Sequence, residues 1–136
     1  MITQPVDIEW MFPRHPRSVG HARVQLLRQA YAWRVPDETT ETALLLLSEL
    51  VTNACRHARG PRDRLIGVRF AVTECGALRV EVADANPDLP EPRQAGPDDE
   101  GGRGLELVEA LAASWGARPR GPGHVGKIVW FELKPE

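Results

Sequence analysis

Between residues 37 and 58 the chain carries its longest helical pattern, and the middle of it, ALLLLSELV, is apolar nearly all the way round. A helix with one apolar stripe can lie on a surface, but one this uniformly apolar must be buried on both sides. The remainder of the fold therefore has to cover it twice. Pro36 and Asp37 punctuate its start, and Asp37, Glu38 and Glu41 fall where the positive end of the helix dipole favours acids. A second helix is expected over residues 19–33, where Val19, Ala22, Leu26, Ala30 and Trp33 recur at spacings of three and four. Ser18 stands in front of it as the expected N-cap.

Strand signals surround these helices. Residues 7–12, DIEWMF, begin with alternating polar and apolar side chains and stop at Pro13 and Pro16. Residues 65–73 put Val68, Phe70 and Val72 on one face, and residues 77–83 do the same with Leu78, Val80 and Val82. Cys75-Gly76 is the expected hairpin turn between them, and RGPRDR at 59–64 is a loop. Residues 84–102 hold Pro87, Pro90, Pro92 and Pro97 and a DDE run, too long and polar for a simple connection. A loop of that length is usually functional or disordered. Leu105, Val108, Leu111 and Ala112 then restore a helical period. A strand at 114–118, a turn at Gly121-Pro122-Gly123 and a closing strand at 128–133 complete the chain. The order β-α-α-β-β-loop-α-β-β implies an α+β two-layer sandwich, with helices on one face of a mixed, mostly antiparallel sheet.

With 136 residues this is one domain. The longest unbroken apolar run, Ala43 to Leu47, is far short of the roughly 20 residues that cross a bilayer. The opening MITQPVDIEW has no basic region ahead of an apolar stretch, so no signal peptide is expected. A net charge of −2 gives no electrostatic case for non-specific nucleic-acid binding. Cys55 and Cys75 form no CxxC pair, which fits a reducing, cytoplasmic setting. Cys55 and His57 sit too close on one helix to make a good zinc site.

Three features carry chemistry. Glu49 and Asn53 are four apart on the long helix and share a face, with His57 a turn further on. Buried without partners, the amide would cost ~1–3 kcal/mol and the charge more. Either that face emerges to solvent, or it lines a cleft in which oxygen-bearing side chains meet a metal–phosphate group. Gly101-Gly102-Arg103-Gly104 opens the third helix, where free N–H groups and the dipole favour an anion, although a plain hinge would look the same. Asp84 ends a strand at VEVADANP, either as a turn-starting acid or as a buried carboxylate facing a base amino group.

Each signal is weak alone, but their order is informative. SELVTNACRHA, VEVADANPDLP, GGRGLELVEALAASWG and GKIVWFEL together resemble the GHKL ATPase superfamily, over most of the chain. The branch they look most like is that of the anti-sigma-factor serine kinases and their small actinobacterial relatives. The resemblance implies a Bergerat-type ATP-binding fold, with ATP and Mg²⁺ as cofactors. It implies Glu49 as the catalytic acid that acts as general base or orients the attacking group, and Asn53 as the Mg²⁺-binding amide. Asp84 would accept from the adenine amino group, with Pro87 beside it in the run that follows. Gly102, Arg103, Gly104 and Leu105 would hold the phosphates, and residues 88–101 would form the lid. The partners implied are a small anti-anti-sigma protein of the STAS type and a sigma factor. A homodimer is left open, and no contact with nucleic acid or membrane is expected.

The chain departs from the family pattern in two places. Ile128 is aligned with a Thr that supports the adenine-binding acid, and Glu100 with an Arg ahead of the first lid glycine. Three functions follow: a serine/threonine kinase acting on an anti-anti-sigma partner, an ATP-responsive switch that sequesters a partner, and a detached histidine-kinase ATP domain. The last is weakest, since no dimerising hairpin with a phosphoacceptor His is seen ahead of the domain.

Overall fold

A computed structural model of the chain describes residues 7–57, 65–86 and 103–134. The first strand, β1 (Asp7–Pro13), leads into α1 (Arg17–Ala32) and the long α2 (Asp37–His57). Then come β2 (Leu65–Val72), β3 (Leu78–Asp84), α3 (Arg103–Leu111), β4 (Ser114–Pro119) and β5 (Lys127–Leu133). The five strands form one sheet in the order β1-β2-β3-β5-β4. The expected, mostly antiparallel sheet is present, and its mixed character is corrected, since every described pairing is antiparallel. The antiparallel order follows from the connections: β1 returns to β2 through a pair of antiparallel helices, and β5 turns back between β3 and β4.

Alternation along the central strands decides which face is covered. Val68 and Phe70 of β2, Val80 and Val82 of β3, and Val129 and Phe131 of β5 point into one core. There they meet Leu46, Leu47, Leu50, Val51 and Ala54 of α2. Ala22 and Leu26 of α1 and Leu105 and Val108 of α3 close the same cluster from the sides. The apolar α2 is thus buried against the sheet beneath it, with α1 and α3 both packed on it. The opposite sheet face is polar: the Arg79 guanidinium lies 4.0 Å over the Trp130 ring and bonds Glu81 at 2.8 Å and Glu132 at 2.7 Å. Trp10, Trp33 and Trp115 instead pack against the core.

Ser18 is not the cap of α1. Pro16, with φ −52° and ψ −32°, occupies that place, so the helix starts earlier than its apolar stripe does. Ser18 falls in the first turn, where its hydroxyl donates to the Pro13 carbonyl at 2.5 Å and is buried. The two expected turns form. Gly76, at φ +88°, closes the β2–β3 hairpin by donating its N–H to Thr73 O at 2.8 Å. Pro122 and Gly123 (φ +83°) turn the chain ahead of β5, as a proline followed by a left-handed glycine does.

Candidate functional site

The site is built on α2. Its core stripe, Leu46, Leu47, Leu50, Val51 and Ala54, faces the sheet. One flank is taken by α1, whose Arg23 donates to Leu44 O at 3.1 Å and to the Ser48 hydroxyl at 2.6 Å. At 100° per residue, Glu49 and Asn53 fall on the other side of the stripe from Ser48. Both are half-buried, and among the described residues neither has a hydrogen-bond or ion-pair partner. Leu45, a turn earlier, is 40% exposed, so this flank runs from solvent into the fold. A half-buried carboxylate and amide left unpaired cost free energy that a ligand could recover. The amide oxygen of Asn53 is the hard, neutral donor that Mg²⁺ accepts when phosphates and water complete its shell.

The third helix packs against α2. Its first turn carries Arg103, Gly104 and Leu105, with Glu106 the acid of that turn. The Leu105 side chain is buried in the core, so only its backbone is free to meet a ligand. The leading N–H groups of a helix have no intrahelical acceptor and favour an anion. Pro87, Gly102, Glu100 and the lid at 88–101 lie outside the described residues, as do the side chains of His57 and Arg103.

At the end of β3, beneath α2, Asp84 is 4% exposed. Its Oδ1 accepts the Asn86 backbone N–H at 2.8 Å, a turn of the kind Asp makes two residues on. The same oxygen accepts from the Lys127 ammonium at 3.0 Å, and Lys127 reaches on to Asn86 O at 3.3 Å. Lys127 is itself 7% exposed. The register explains the pairing, since Asp84 and Lys127 are directly opposite across β3 and β5. Ile128 lies opposite Ala83, on the other sheet face. The expectation that Ile128 stands where a residue would support Asp84 is therefore corrected: that position is 127.

Gly126 makes this approach work. Its φ is +123°, and a Cβ there would lie 1.9 Å from Asp84 O. Sequence reasoning singled out Asp84 but not the residues that enclose it, Gly126, Lys127 and the buried Asn86. The signal present was the Gly-Lys pair that opens the last strand.

The chain matches the family model described as "Histidine kinase-like ATPase domain" over residues 12–132. An uncharacterized protein of Streptomyces coelicolor is 46% identical over 56 residues, covering 40% of this chain and 53% of that protein. Blue-light-activated histidine kinase 2 of Erythrobacter litoralis is 32% identical over 116 residues, covering 84% of this chain and 33% of that protein. The chain thus spans about half and a third of the lengths of these relatives. The structure of the RsbU and RsbW domains of a Mycobacterium tuberculosis protein superposes with a TM-score of 0.72 at 19% identity, covering 95% of this chain and 32% of that one. That likeness concerns the fold, a five-stranded antiparallel sheet under helices. The Erythrobacter litoralis histidine kinase domain superposes with a TM-score of 0.57 at 26% identity, covering 90% and 61% of the two chains. Among the described residues no helix is long and apolar enough to cross a membrane. The family match spans nearly every element described above, α2 and both strands that carry Asp84 and Lys127 among them: the chain belongs to the histidine kinase-like ATPase domains, and ATP binding comes with that membership.

Proposed function

We propose that this domain is a regulatory serine/threonine protein kinase of the anti-sigma-factor type, which passes the γ-phosphate of ATP to a hydroxyl on a small anti-anti-sigma partner. The observation that carries the reading is the unpaired Glu49–Asn53 pair on the flank of α2 beside α3. In this reading Asn53 offers its amide oxygen to Mg²⁺, which supplies charge neutralisation at the phosphates when bound. The first-turn N–H groups of α3, with Gly102, Arg103 and Gly104, hold the phosphates. Asp84 takes the adenine amino group, with Pro87 beside it. Glu49 accepts the proton of the partner's hydroxyl as that oxygen bonds phosphorus, and ADP leaves with the electrons of the broken bond.

The likeness to a histidine kinase supports a second acceptor, a histidine on a separate domain. The two are separated chemically, because phosphohistidine is acid-labile and phosphoserine is not. Transfer from labelled ATP·Mg²⁺ to a co-encoded STAS-type partner is expected to be acid-stable. Glu49→Gln keeps the shape and an accepting oxygen but loses the basic charge. It is expected to hold ATP affinity within a few fold and to lose ~10²–10⁴-fold in single-turnover transfer. Wild-type turnover in this variant rejects Glu49 as the base. ATP and partner binding with no transfer by the wild type selects a sequestering switch.

A further inference from the structure

The acid at the end of β3 is held more tightly than its proposed task alone requires. Two donors converge on a single oxygen of Asp84, the Asn86 N–H at 2.8 Å and the Lys127 ammonium at 3.0 Å. Lys127 is fixed in turn by Asn86 O at 3.3 Å, so the three residues form a closed triangle. All three are buried. Gly126 lets the start of β5 lie against the Asp84 carbonyl, closer than any residue with a Cβ could. An Asx turn needs one N–H, and it has that from Asn86. A buried ammonium is a costly addition to such a turn, and the charge that balances it is the carboxylate it faces.

We infer that Lys127 is a positioning residue for base recognition: by anchoring Oδ1 of Asp84 it leaves Oδ2 as the acceptor for an exocyclic amino group, and so sets the preference for adenine. This rests on Asp84 being the base-reading acid proposed above. A carboxylate free to turn about its last torsion can relax to suit different bases, whereas an anchored one presents a fixed acceptor whose ordering cost is already met. A base with a carbonyl in place of the amino group then sets oxygen against oxygen, and nothing relaxes to relieve it. Lys127 touches the carboxylate, not the reacting phosphate, so its effect falls on base choice.

The experiment compares ATP with inosine triphosphate, which differs at that group by a carbonyl, by calorimetry on the whole chain. Wild-type protein is expected to prefer ATP by about tenfold or more, and Lys127→Met to bring the preference within about threefold, with inosine triphosphate affinity little changed. Lys127→Arg keeps the ion pair and so the fold, but its planar fork re-aims the carboxylate, and it is expected to lose part of the preference. It decides the matter alone if Lys127→Met does not fold. A merely structural lysine would weaken both nucleotides together, and an unchanged preference in the folded variants overturns the inference. A different result overturns the underlying reading: wild-type protein that does not distinguish the two nucleotides, or Asp84→Asn that binds ATP as wild type does.

Discussion

In the proposed reading, the buried pair Asp84 and Lys127 joins stability to recognition. Each is almost fully removed from water, and each is the other's counter-ion at 3.0 Å. Removing one partner leaves the other charge buried and uncompensated, which costs ~3–5 kcal/mol, whereas removing both for apolar groups is often close to neutral. Asp84→Ala is therefore expected to lower the urea midpoint sharply, and Asp84→Ala with Lys127→Met to recover much of that loss while binding ATP weakly. If the double variant is no more stable than the single, the ammonium is not paired with Asp84 in solution. Asp84 stood out in the sequence only through its place among the other motifs, since an acid that ends an alternating strand two residues before Asn86 also makes an ordinary turn, as it does here. Lys127 did not, because a lysine at the start of a strand ordinarily extends into solvent. Its partner lies 43 residues upstream, and only the register of β3 on β5 brings them together.

Among the elements, α2 was the most legible, since its apolar surround required cover on both sides and its start carried plain signals. The start of α1 was misplaced because the hydroxyl of Ser18 looked like a cap, while Pro16 can begin a helix without one. Glu49 and Asn53 marked the face of α2 that emerges, but no pattern disclosed what covers the flank across from it, where α1 lies along Leu44 and Ser48, fixed by Arg23. In the proposed reading, Glu49 and Asn53 on the opposite flank have separate duties. Asn53 is neutral, so if its amide oxygen is the proposed metal ligand, its removal withdraws that ligand without changing local charge. Asn53→Ala is expected to keep its helical circular dichroism and its metal-free ATP affinity. The added affinity that Mg²⁺ confers should fall, by about tenfold if one coordination bond worth ~1.4 kcal/mol is lost. Equal Mg²⁺ enhancement in both proteins places the metal on other groups.

Among the described residues, one core is shared by five strands and three helices, and the proposed nucleotide contacts come from three separate places around it: the flank of α2, the end of β3 and the start of α3. The layer architecture was readable from the order of periods, because helices with one buried face and alternating strands have few ways to cover each other. The strand order was not, since nothing local says that β5 enters between β3 and β4. Of the three contributors α3 is the least secured. It has nine residues, too few to be stable as an isolated helix, and it depends on Leu105 and Val108 in the shared core and on its packing against α2 and β4. A ligand bound only by the folded state stabilises it in proportion to RT ln(1 + [L]/Kd), about 2.7 kcal/mol at a hundredfold excess over Kd. That gain reaches a local opening only if the opening breaks ligand contacts. ATP phosphates on the first turn of α3 should therefore slow hydrogen exchange there, in amides that open without global unfolding. The middle and last turns of α1, where Val24, Leu27 and Tyr31 are exposed, carry none of the proposed contacts and should exchange as before. The protection should need the triphosphate, so adenosine at saturating concentration should protect the end of β3 and leave α3 unchanged. Exchange in α3 that is indifferent to ATP, under conditions where ATP binds, would remove the helix start from the phosphate site and move the phosphates onto other backbone.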